Sequence, residues 1–296
     1  PQLREAIKTW AAKNLGATGE FDVLPLIGSK EFVAWLPTFL QSKKVLIPNI
    51  AYPTYNVGAI LAGAQAIAVD LDTQKWPTAA LAWINSPSNP TGRVHTEAEL
   101  KSAIEYSRKN NTPVVSDECY LEFGDSVKPT SILNYTQGNN SNILAVLSLS
   151  KRSSMAGYRA AFVVGDPVFI KKILEIRKHA GMMVALPIQH AMIAALGDSK
   201  HVSEQRDRYN ARRKTLSPAL QSIGFKIEHS EAGLYIWCTR GEDAWKSVEA
   251  LAKLGILVTP GIFYGADGSQ HVRIAMTATD AAIADAAARI TASKAD

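Results

Sequence analysis

The sequence predicts an α/β protein, in which a mostly parallel β-sheet between helices is followed by a smaller α+β unit. Three observations lead to this prediction. Apolar runs of strand length alternate with amphipathic helical patterns from about residue 45 to 165. A long amphipathic stretch over about 201–223 follows, and beyond it short strand and helix patterns alternate in a different rhythm. We therefore predict a large domain over residues 1–205 and a small domain over residues 206–296.

Composition narrows the class of protein. The chain has 296 residues, of which 47% are hydrophobic and 20% charged, as is usual for a globular protein. It contains no apolar stretch of ~18 residues that could span a membrane. Cys119 and Cys238 lie far apart without metal-ligand spacing, which argues against a zinc site and fits a reducing cytoplasm. The densest basic run, 206–214, is interrupted by an acid, which favours a solvated helix over a nucleic-acid surface.

The first residues form a helical pattern. Pro1 suits the start of a helix, and Leu3, Ile7 and Trp10 would share one face of it. The first residue is not methionine, and a native chain seldom begins inside such an element. We therefore expect a further N-terminal segment in the full protein.

The next helix is predicted from the sequence GSKEFVAWLPTFL over residues 28–40. Gly28 and Ser29 would open it. The pattern predicts a buried stripe that consists of Phe32, Trp35, Leu36 and Phe39.

Six strands are predicted for the large domain, with a helix over 97–110 capped by Thr96 among them. The strands are VLIPN (45–49), AIAV (66–69), LAWIN (81–85), PVVSD (113–117), ILAVLSLS (143–150) and AAFVV (160–164). In the small domain the predicted strands are FKIEH (225–229), GLYIWC (233–238), ILVTP (256–260) and HVRIA (271–275), with helices over 243–254 and 280–292. Strands that alternate with helices indicate a sheet covered on both faces.

Polar side chains follow the ends of the predicted strands. Ligands of open α/β sheets bind beyond the carboxyl ends of the strands, so these side chains should meet at one edge. They are Tyr52 and Tyr55 after the first strand, Asn89 after the third, Asp117 and Tyr120 at the fourth, and Ser148, Ser150 and Lys151 at the fifth. Taken singly, each has an ordinary interpretation, such as a solvated loop lysine or an aspartate that caps a turn.

Together these groups suit one kind of ligand. A desolvated amine is a nucleophile, a carboxylate can hold a ring nitrogen protonated, and a tyrosine face can stack on a planar ring. Hydroxyls, an arginine and the N–H groups of a helix start can bind a phosphate. Pyridoxal phosphate, a planar aldehyde with a basic ring nitrogen and a phosphate, matches this set.

Four motifs carry a resemblance to a known family. They are SPSNPTG, SDECY, SLSKRSSMAGYR and HVRIA, and as an ordered set they resemble the fold-type I, class I/II aminotransferases over essentially the whole chain. The resemblance implies the pyridoxal-phosphate-dependent transferase type I fold. It implies that Lys151 binds the cofactor aldehyde covalently and shuttles the substrate proton, and that Asp117 pairs with the ring nitrogen. Asn89 and Tyr120 would bind the ring oxygen, and Tyr52 would stack on the ring.

The same resemblance assigns residues to the cofactor phosphate and to the substrate carboxylate. Ser148, Arg159 and the backbone amides of Ser29 and Lys30 would bind the phosphate, and Arg273, together with Asn89, would bind the substrate carboxylate. Tyr55 would either pack or orient its neighbour. In this family a segment ahead of the residues aligned with LREAI completes the substrate pocket, and its tyrosine reaches the partner's phosphate. We therefore expect a homodimer of this chain with sites at the subunit interface.

Further stretches narrow the resemblance. GSKEFVAWLPTFL, SDECYLEF, RKHAGMMV, HSEAGLYIW and TPGIFYG are similar to the actinobacterial N-succinyl-diaminopimelate aminotransferases of lysine biosynthesis. The implied reaction transfers an amino group from N-succinyl-LL-diaminopimelate to 2-oxoglutarate. Both molecules carry a distal anion, for which Lys30, Arg152 and Arg240 are candidate ligands.

Several alternatives stay open at this stage. They are an aminotransferase of aspartate or alanine specificity, a pyridoxal-phosphate carbon–sulfur lyase, and a non-catalytic regulator with an aminotransferase-like domain. A nicotinamide enzyme is disfavoured, because no G-x-G-x-x-G follows the first strands.

Overall fold

Two β-sheets organise the protein. A computed structural model describes residues 1–293, and within them seven strands form a large sheet and four strands form a small one. The large sheet contains β1 (Asp22–Leu26), β2 (Lys44–Pro48), β3 (Gln65–Val69), β4 (Leu81–Asn85), β5 (Val114–Asp117), β6 (Ile143–Ser148) and β7 (Ala161–Gly165). The small sheet contains β8 (Lys226–Ile227), β9 (Tyr235–Thr239), β10 (Thr259–Pro260) and β11 (His271–Ala275).

The large sheet is mostly parallel, as predicted. Its strand order is β1-β7-β6-β5-β4-β2-β3, and the neighbours from β6 to β3 pair in parallel. β7 runs antiparallel to both of its neighbours, β6 and β1. The small sheet has the order β10-β11-β9-β8 and is antiparallel throughout.

Helices cover both faces of the large sheet and one side of the small one. They are α1 (Gln2–Leu15), α2 (Ser29–Phe39), α3 (Thr54–Leu61), α4 (Glu97–Asn110), α5 (Leu149–Arg152), α6 (Pro167–His179), α7 (Leu186–Gly197), α8 (Lys200–Ser222), α9 (Ala244–Lys253) and α10 (Asp280–Ala292). The predicted boundary at residues 205 and 206 falls inside α8, and the division into two domains stays a prediction. Among residues 1–293, no helix combines the length and the apolar character needed to cross a membrane.

The alternation of side chains along the strands builds two cores from one sheet. In β6, Leu144 and Val146 join the core under α2, α3 and α6, whereas Ala145 and Leu147 join the core under α1, α4 and α7. A third core lies between the small sheet and helices α8, α9 and α10. This burial on both faces explains why the central strands read as continuous apolar runs.

Three local predictions need comment. The sequence pattern missed β1, a five-residue edge strand that contains Pro25, because proline is not typical of strands except at edges. The strand predicted over 143–150 ends at Ser148, since Leu149 and Ser150 begin the short helix α5. The predicted buried stripe of α2 was wrong at Trp35, which is 39% exposed, whereas Val33 is buried.

Candidate active site

The carboxyl ends of three parallel strands bring the predicted polar residues together. Asn85, the last residue of β4, is paired with Asp117 of β5, and Asp117 is paired with Val146 of β6. These strand ends therefore lie side by side at one edge. The segments that follow them, with the start of α2 and the small sheet, enclose a cavity of about 300 Å³.

The ten residues predicted to contact the cofactor or the substrate all line this one cavity. They are Ser29, Lys30, Tyr52, Asn89, Asp117, Tyr120, Ser148, Lys151, Arg159 and Arg273. The structure thus brings the set together, while the role of each residue in binding or catalysis stays a prediction.

Asp117 is held in place at the floor of the cavity. Its Oδ2 accepts a hydrogen bond of 2.9 Å from the Tyr55 hydroxyl, and its Oδ1 accepts one of 3.2 Å from the Cys119 N–H. Burial raises the pKa of Asp117, and the bonds from Cys119 and Tyr55 oppose that rise. Burial, together with the nearby carboxylate, raises the pKa of Tyr55 well above its usual value, so the phenol keeps its proton and acts as the donor.

Tyr55 is itself fixed by aromatic neighbours. Its ring stacks on Trp83 at a centroid distance of 5.3 Å and meets the edge of Tyr52 at 5.7 Å. The sequence left open whether Tyr55 only packs or orients its neighbour. In the structure it does both, since its ring packs on Trp83 and its hydroxyl bonds Asp117. No sequence pattern distinguishes a tyrosine that bonds a carboxylate from one that only packs.

Lys151 lies half-buried in α5, directly beyond β6. The Ser148 hydroxyl caps this helix by accepting a hydrogen bond of 3.1 Å from the Ser150 N–H. The helix has only four residues, Leu149–Arg152, and its Lys151 lines the same cavity as Asp117.

Arg159 approaches the start of α2. It adopts the left-handed conformation with φ 54°, and its Nη1 donates a hydrogen bond of 2.7 Å to the Ala156 carbonyl. A Cβ at Gly28 would lie 2.1 Å from its Nη2, so only glycine lets the guanidinium come this near. No side chain caps the first N–H groups of α2, which leaves Ser29 and Lys30 with backbone donors beside a cation.

Arg273 stands at the opposite side, on β11 of the small sheet. Its Nη1 donates a hydrogen bond of 3.0 Å to the Asn89 Oδ1, and its guanidinium lies 4.0 Å from the ring centroid of Tyr235. Its Nε is buried and has no hydrogen-bond partner among residues 1–293. Such an arginine, with donors left over beside a cavity, is suited to a carboxylate.

The three cationic candidates for a distal anion do not lie together. Lys30 lines the cavity, with its Nζ 5.8 Å from the ring centroid of Tyr52. Arg152 is buried elsewhere against Glu122, at 2.6 Å. Arg240 pairs with Glu242 and stacks on Phe225. Only Lys30 of these three is therefore a cavity residue.

Ser150, which was predicted at the same sheet edge, lines the cavity too, and the structure adds lining residues that sequence reasoning did not assign to the site: Asn85, Cys119, Ala156 and Tyr235. Burial raises the pKa of the Cys119 thiol well above its usual value, so it stays protonated. Tyr235 belongs to the small sheet, and its position depends on how the two sheets face each other, which no local pattern encodes.

The donor set fits pyridoxal phosphate. A buried carboxylate lies at the floor, and an arginine with uncapped helix N–H groups forms an anion site at one end. Lys151 supplies an amine within the same cavity. The close approach of Arg159 to Gly28, which any side chain at position 28 would block, is the feature that most specifically suits a phosphate.

Sequence comparisons place the chain among known proteins. The family described as "Aminotransferase class I and II" matches residues 1–290. The 4-dedimethylamino-4-oxo-anhydrotetracycline transaminase OxyQ of Streptomyces rimosus is 50% identical over 299 residues, which cover 98% of this chain and 83% of that protein. The probable aminotransferase Rv1178 of Mycobacterium tuberculosis is 51% identical over 298 residues, 98% of this chain and 71% of that protein. An LL-diaminopimelate aminotransferase of Dehalococcoides mccartyi is 34% identical over 304 residues, 95% of this chain and 78% of that protein.

Solved structures agree in fold. An aminotransferase from Staphylococcus aureus matches with a TM-score of 0.91 and 27% identity, covering 99% of this chain and 83% of that one. A probable N-succinyldiaminopimelate aminotransferase from Thermus thermophilus matches with a TM-score of 0.88 over 98% of this chain and 83% of that one. Its identity is 24%, so it supports the fold alone. The predicted fold class is confirmed.

Proposed function

Because this chain belongs to the class I and II aminotransferases, we propose that it transfers the amino group of N-succinyl-LL-diaminopimelate to 2-oxoglutarate. The chain is a pyridoxal-phosphate-dependent transaminase, which disfavours the lyase and regulator alternatives. The observation that carries the proposal is the convergence of Lys151, Asp117 and two arginines on one cavity. When bound, the cofactor supplies an aldehyde for the amino group and a ring that accepts the electrons of the substrate α-carbon.

Lys151 and Asp117 handle protons in this proposal. Lys151 would hold the cofactor through its amine, and its Nζ would take the proton from the substrate α-carbon and return it to the cofactor. Asp117 keeps the proton on the ring nitrogen, and the Tyr55 hydroxyl holds the carboxylate in its orientation at 2.9 Å. The raised pKa of Asp117 makes a nearby positive group favourable, since a protonated ring nitrogen would stabilise the buried carboxylate.

The remaining cofactor contacts fix the ring and its tail. Tyr52 stacks on the ring, and the Asn89 amide and the Tyr120 hydroxyl bind the ring oxygen. The Asn89 Oδ1 already accepts from Arg273, so its amide nitrogen is the atom that serves the ring oxygen. Ser148, Arg159 and the N–H groups of Ser29 and Lys30 bind the phosphate.

Two cations select the substrate. Arg273 binds the α-carboxylate as a bidentate pair through its remaining donors. Lys30 binds the distal anion, which is a succinyl carboxylate in one substrate and the γ-carboxylate in 2-oxoglutarate. The support is positional, because Arg152 and Arg240 are paired away from the cavity and Lys30 lines it.

The covalent role of Lys151 can be tested directly. The wild-type enzyme treated with borohydride should carry a cofactor adduct on the peptide that contains Lys151. Lys151→Ala should still bind the cofactor but yield no adduct, whereas Lys30→Ala should be labelled as the wild type is. Labelling at any other lysine contradicts the assignment.

The substrate is tested by titrating the cofactor-loaded full-length protein with amino donors and following the absorbance of the bound cofactor. N-succinyl-LL-diaminopimelate should convert the cofactor to its amine form at far lower concentration than alanine or aspartate. Lys30→Ala should weaken the response to N-succinyl-LL-diaminopimelate and leave the response to alanine unchanged. Equal responses of the wild type to all three donors would overturn the narrow proposal.

A second candidate substrate follows from the relative at 50% identity that is named an anhydrotetracycline transaminase. In that case the chain would aminate the ketone of a polycyclic acceptor. The enzyme, first loaded with an amino group from glutamate, would then return to its aldehyde form on addition of 4-oxo-anhydrotetracycline but not on addition of the 2-oxo form of N-succinyl-diaminopimelate. LL-diaminopimelate without the succinyl group serves as the third compound, because another relative is named for it.

We also propose a homodimer formed through the outer face of α2 and α3. Large apolar side chains are exposed there: Trp35 at 39%, Ile60 at 65% and Leu61 at 49%. Exposed apolar clusters of this kind are typical of protein interfaces. Light scattering should give the mass of two chains, and Ile60→Glu with Leu61→Glu should give that of one.

A further inference from the structure

Tyr235 connects the two ends of the candidate active site. It is the first residue of β9, it lines the cavity, and only 8% of it is exposed. Its hydroxyl oxygen lies 3.2 Å from that of Tyr120, and its ring lies under the guanidinium of Arg273 at 4.0 Å. One side chain thus touches a predicted cofactor ligand and a predicted substrate ligand.

The strand register dictates the stack of Arg273 on Tyr235. In the antiparallel pair of β9 and β11, Tyr235 is opposite Ala275, and Arg273 is opposite Trp237. Arg273 and Ala275 are two residues apart, so Arg273 and Tyr235 are diagonal neighbours on one face of the sheet. Tyr264 is a second ring near the guanidinium, with its centroid at 5.2 Å. A cation over an aromatic face is attracted to it, and Tyr235 is the nearer of the two rings.

The hydroxyl of Tyr235 contacts Tyr120, and this contact bears on the direction of the Tyr120 proton. The two phenols approach with ring centroids 5.8 Å apart and an interplanar angle of 66°, which brings the oxygens into hydrogen-bond distance. When Tyr235 donates to the oxygen of Tyr120, the proton of Tyr120 is left to point at the cavity. Burial and the neighbouring Tyr235 raise the pKa of Tyr120 well above its usual value, so that proton is retained.

We propose that Tyr235 is a positioning residue with two separable effects: its hydroxyl orients the Tyr120 proton toward the cofactor ring oxygen, and its ring holds Arg273 for the substrate carboxylate. This inference rests on the proposed transaminase site. It does not depend on which amino acid is the substrate, since every amino donor carries an α-carboxylate.

Two substitutions separate the effects. Tyr235→Phe removes the hydroxyl and keeps the ring. It should shift the pH midpoint of the absorbance titration of the bound cofactor and lower kcat by about 5- to 10-fold, with the Kd for succinate unchanged. Tyr235→Leu removes both groups, and it should in addition weaken succinate binding by about 5- to 30-fold.

A double-mutant cycle identifies the partner of the ring. In an Arg273→Gln background, Tyr235→Leu should weaken succinate binding no further. Tyr209→Phe is the matched control, because Tyr209 is a buried tyrosine of the same core that packs against Phe123 and does not line the cavity. It should leave the titration midpoint and the succinate Kd as in the wild type.

The outcomes are distinct. Equal loss of succinate affinity in Tyr235→Phe and Tyr235→Leu, an unshifted titration in Tyr235→Phe, or an additive effect with Arg273→Gln would each overturn the inference. Lowered thermal stability without any of the expected changes would mean a purely structural role and would overturn it as well. Failure of N-succinyl-LL-diaminopimelate to react leaves the titration and the succinate measurements intact, because they use only succinate and the cofactor spectrum, and kcat can then be measured with another amino donor.

Discussion

Arg159 combines two unusual local features, a left-handed backbone and a guanidinium packed against a glycine. Its φ of 54° is uncommon for a residue with a side chain, and Gly28 has a φ of 94°. Neither conformation improves the packing of a core, and together they direct a cation at the uncapped start of α2. Strained residues of this kind cluster at binding sites.

Arg159→Gln should therefore weaken the binding of the cofactor phosphate and leave the binding of the rest of the cofactor unchanged. We expect the affinity for pyridoxal phosphate to fall by about 10- to 100-fold, since a charge-assisted contact is lost. The affinity for pyridoxal, which lacks the phosphate, should stay the same. Arg206→Gln, at a half-buried arginine that pairs with Asp207 and does not line the cavity, is the control and should alter neither affinity. Parallel losses for both ligands would contradict a phosphate role.

At this scale the sequence predicts the residues that stand at strand ends, and it misses those placed by tertiary packing. Lys151 and Asp117 are found because they follow apolar runs directly. Tyr235 is not, since its neighbours in the cavity are Tyr120, in the segment after β5 of the large sheet, and Arg273 in the small sheet. The ligand of the distal substrate anion is left open for the same reason, since Lys30, Arg152 and Arg240 are equal candidates in sequence and only Lys30 of the three lines the cavity.

Helices α2 and α3 approach closely at one glycine. A Cβ at Gly58 would lie 2.7 Å from the carbonyl oxygen of Val33, which is shorter than a van der Waals contact. The backbone of α2 cannot give way easily, because Phe32 and Leu36 of that helix are buried in the core. Any side chain at position 58 must therefore push the helices apart.

Gly58→Ala should destabilise the protein by about 1–3 kcal/mol, as overpacking does. Gly197→Ala is the matched control in α7, where a Cβ would meet no atom of the described residues within 4 Å. That change should be neutral or stabilise by up to ~1 kcal/mol, since alanine is the better helix former. Urea unfolding should show a loss of stability in Gly58→Ala and no loss in Gly197→Ala, and equal losses would refute the contact.

Glu118, a buried acid directly after β5, holds the following segment through a hydrogen bond to the backbone. The Glu118 Oε1 accepts a hydrogen bond of 2.9 Å from the N–H of Ile132, at the start of a short 3₁₀ helix over Ile132–Tyr135. Its Oε2 is buried and has no partner among residues 1–293. Burial raises the pKa of the Glu118 carboxyl to about 7, so the folded protein holds it in the neutral form below that pH.

The stability contribution of Glu118 should fall as the pH rises. The unfolded chain releases this proton near pH 4.5 and the folded chain near pH 7. Between these values the folded state binds more protons, so the free energy of unfolding decreases with pH, by about 3 kcal/mol in all. Glu118→Gln mimics the neutral acid and should remove this slope. The free energy of unfolding of the variant should therefore rise relative to that of the wild type from low to neutral pH. Glu105→Gln, at an exposed site, should keep the slope.

Element types follow from the sequence more closely than element ends. The central strands are predicted because both faces are buried, and α4 because Thr96 precedes an amphipathic pattern; in the structure Thr96 and Glu99 form a capping box. β1 is missed because an edge strand needs no continuous apolar run, and the end of β6 is misplaced because Leu149 and Ser150 continue its apolar pattern into α5.

On the scale of the whole molecule, the two sheets meet at the cavity through polar contacts. Arg273 of β11 bonds Asn89, which follows β4, and Asn49 donates a hydrogen bond of 2.6 Å to Asp267. The backbone N–H of Ala51 also donates to the carbonyl of Tyr264 at 2.7 Å. A dicarboxylate in the cavity would add contacts from both sides, so binding and the stability of the whole fold should be linked.

Succinate should raise the thermal unfolding midpoint of the cofactor-loaded enzyme by several degrees. At a concentration of about 100 times its Kd, the added stability is about 2.7 kcal/mol. Arg273→Gln should lose most of this shift. Arg240→Gln should keep it, because that arginine pairs with Glu242 and does not line the cavity. A shift that survives in Arg273→Gln would place the dicarboxylate elsewhere.

The antiparallel course of β7 has a consequence for the length of its connection to β6. Ser148, the last residue of β6, is paired with Ala161, the first of β7, so the chain leaves and re-enters the sheet at the same edge. Lys151 and Arg159 both lie in this one return, so in the proposed site its length sets the distance between the residue that would bind the aldehyde and the residue that would bind the phosphate of the same cofactor. Adding or deleting a residue between Lys151 and Arg159 would shift one of these side chains relative to the other. This return should therefore tolerate changes of length far less than an ordinary surface loop does.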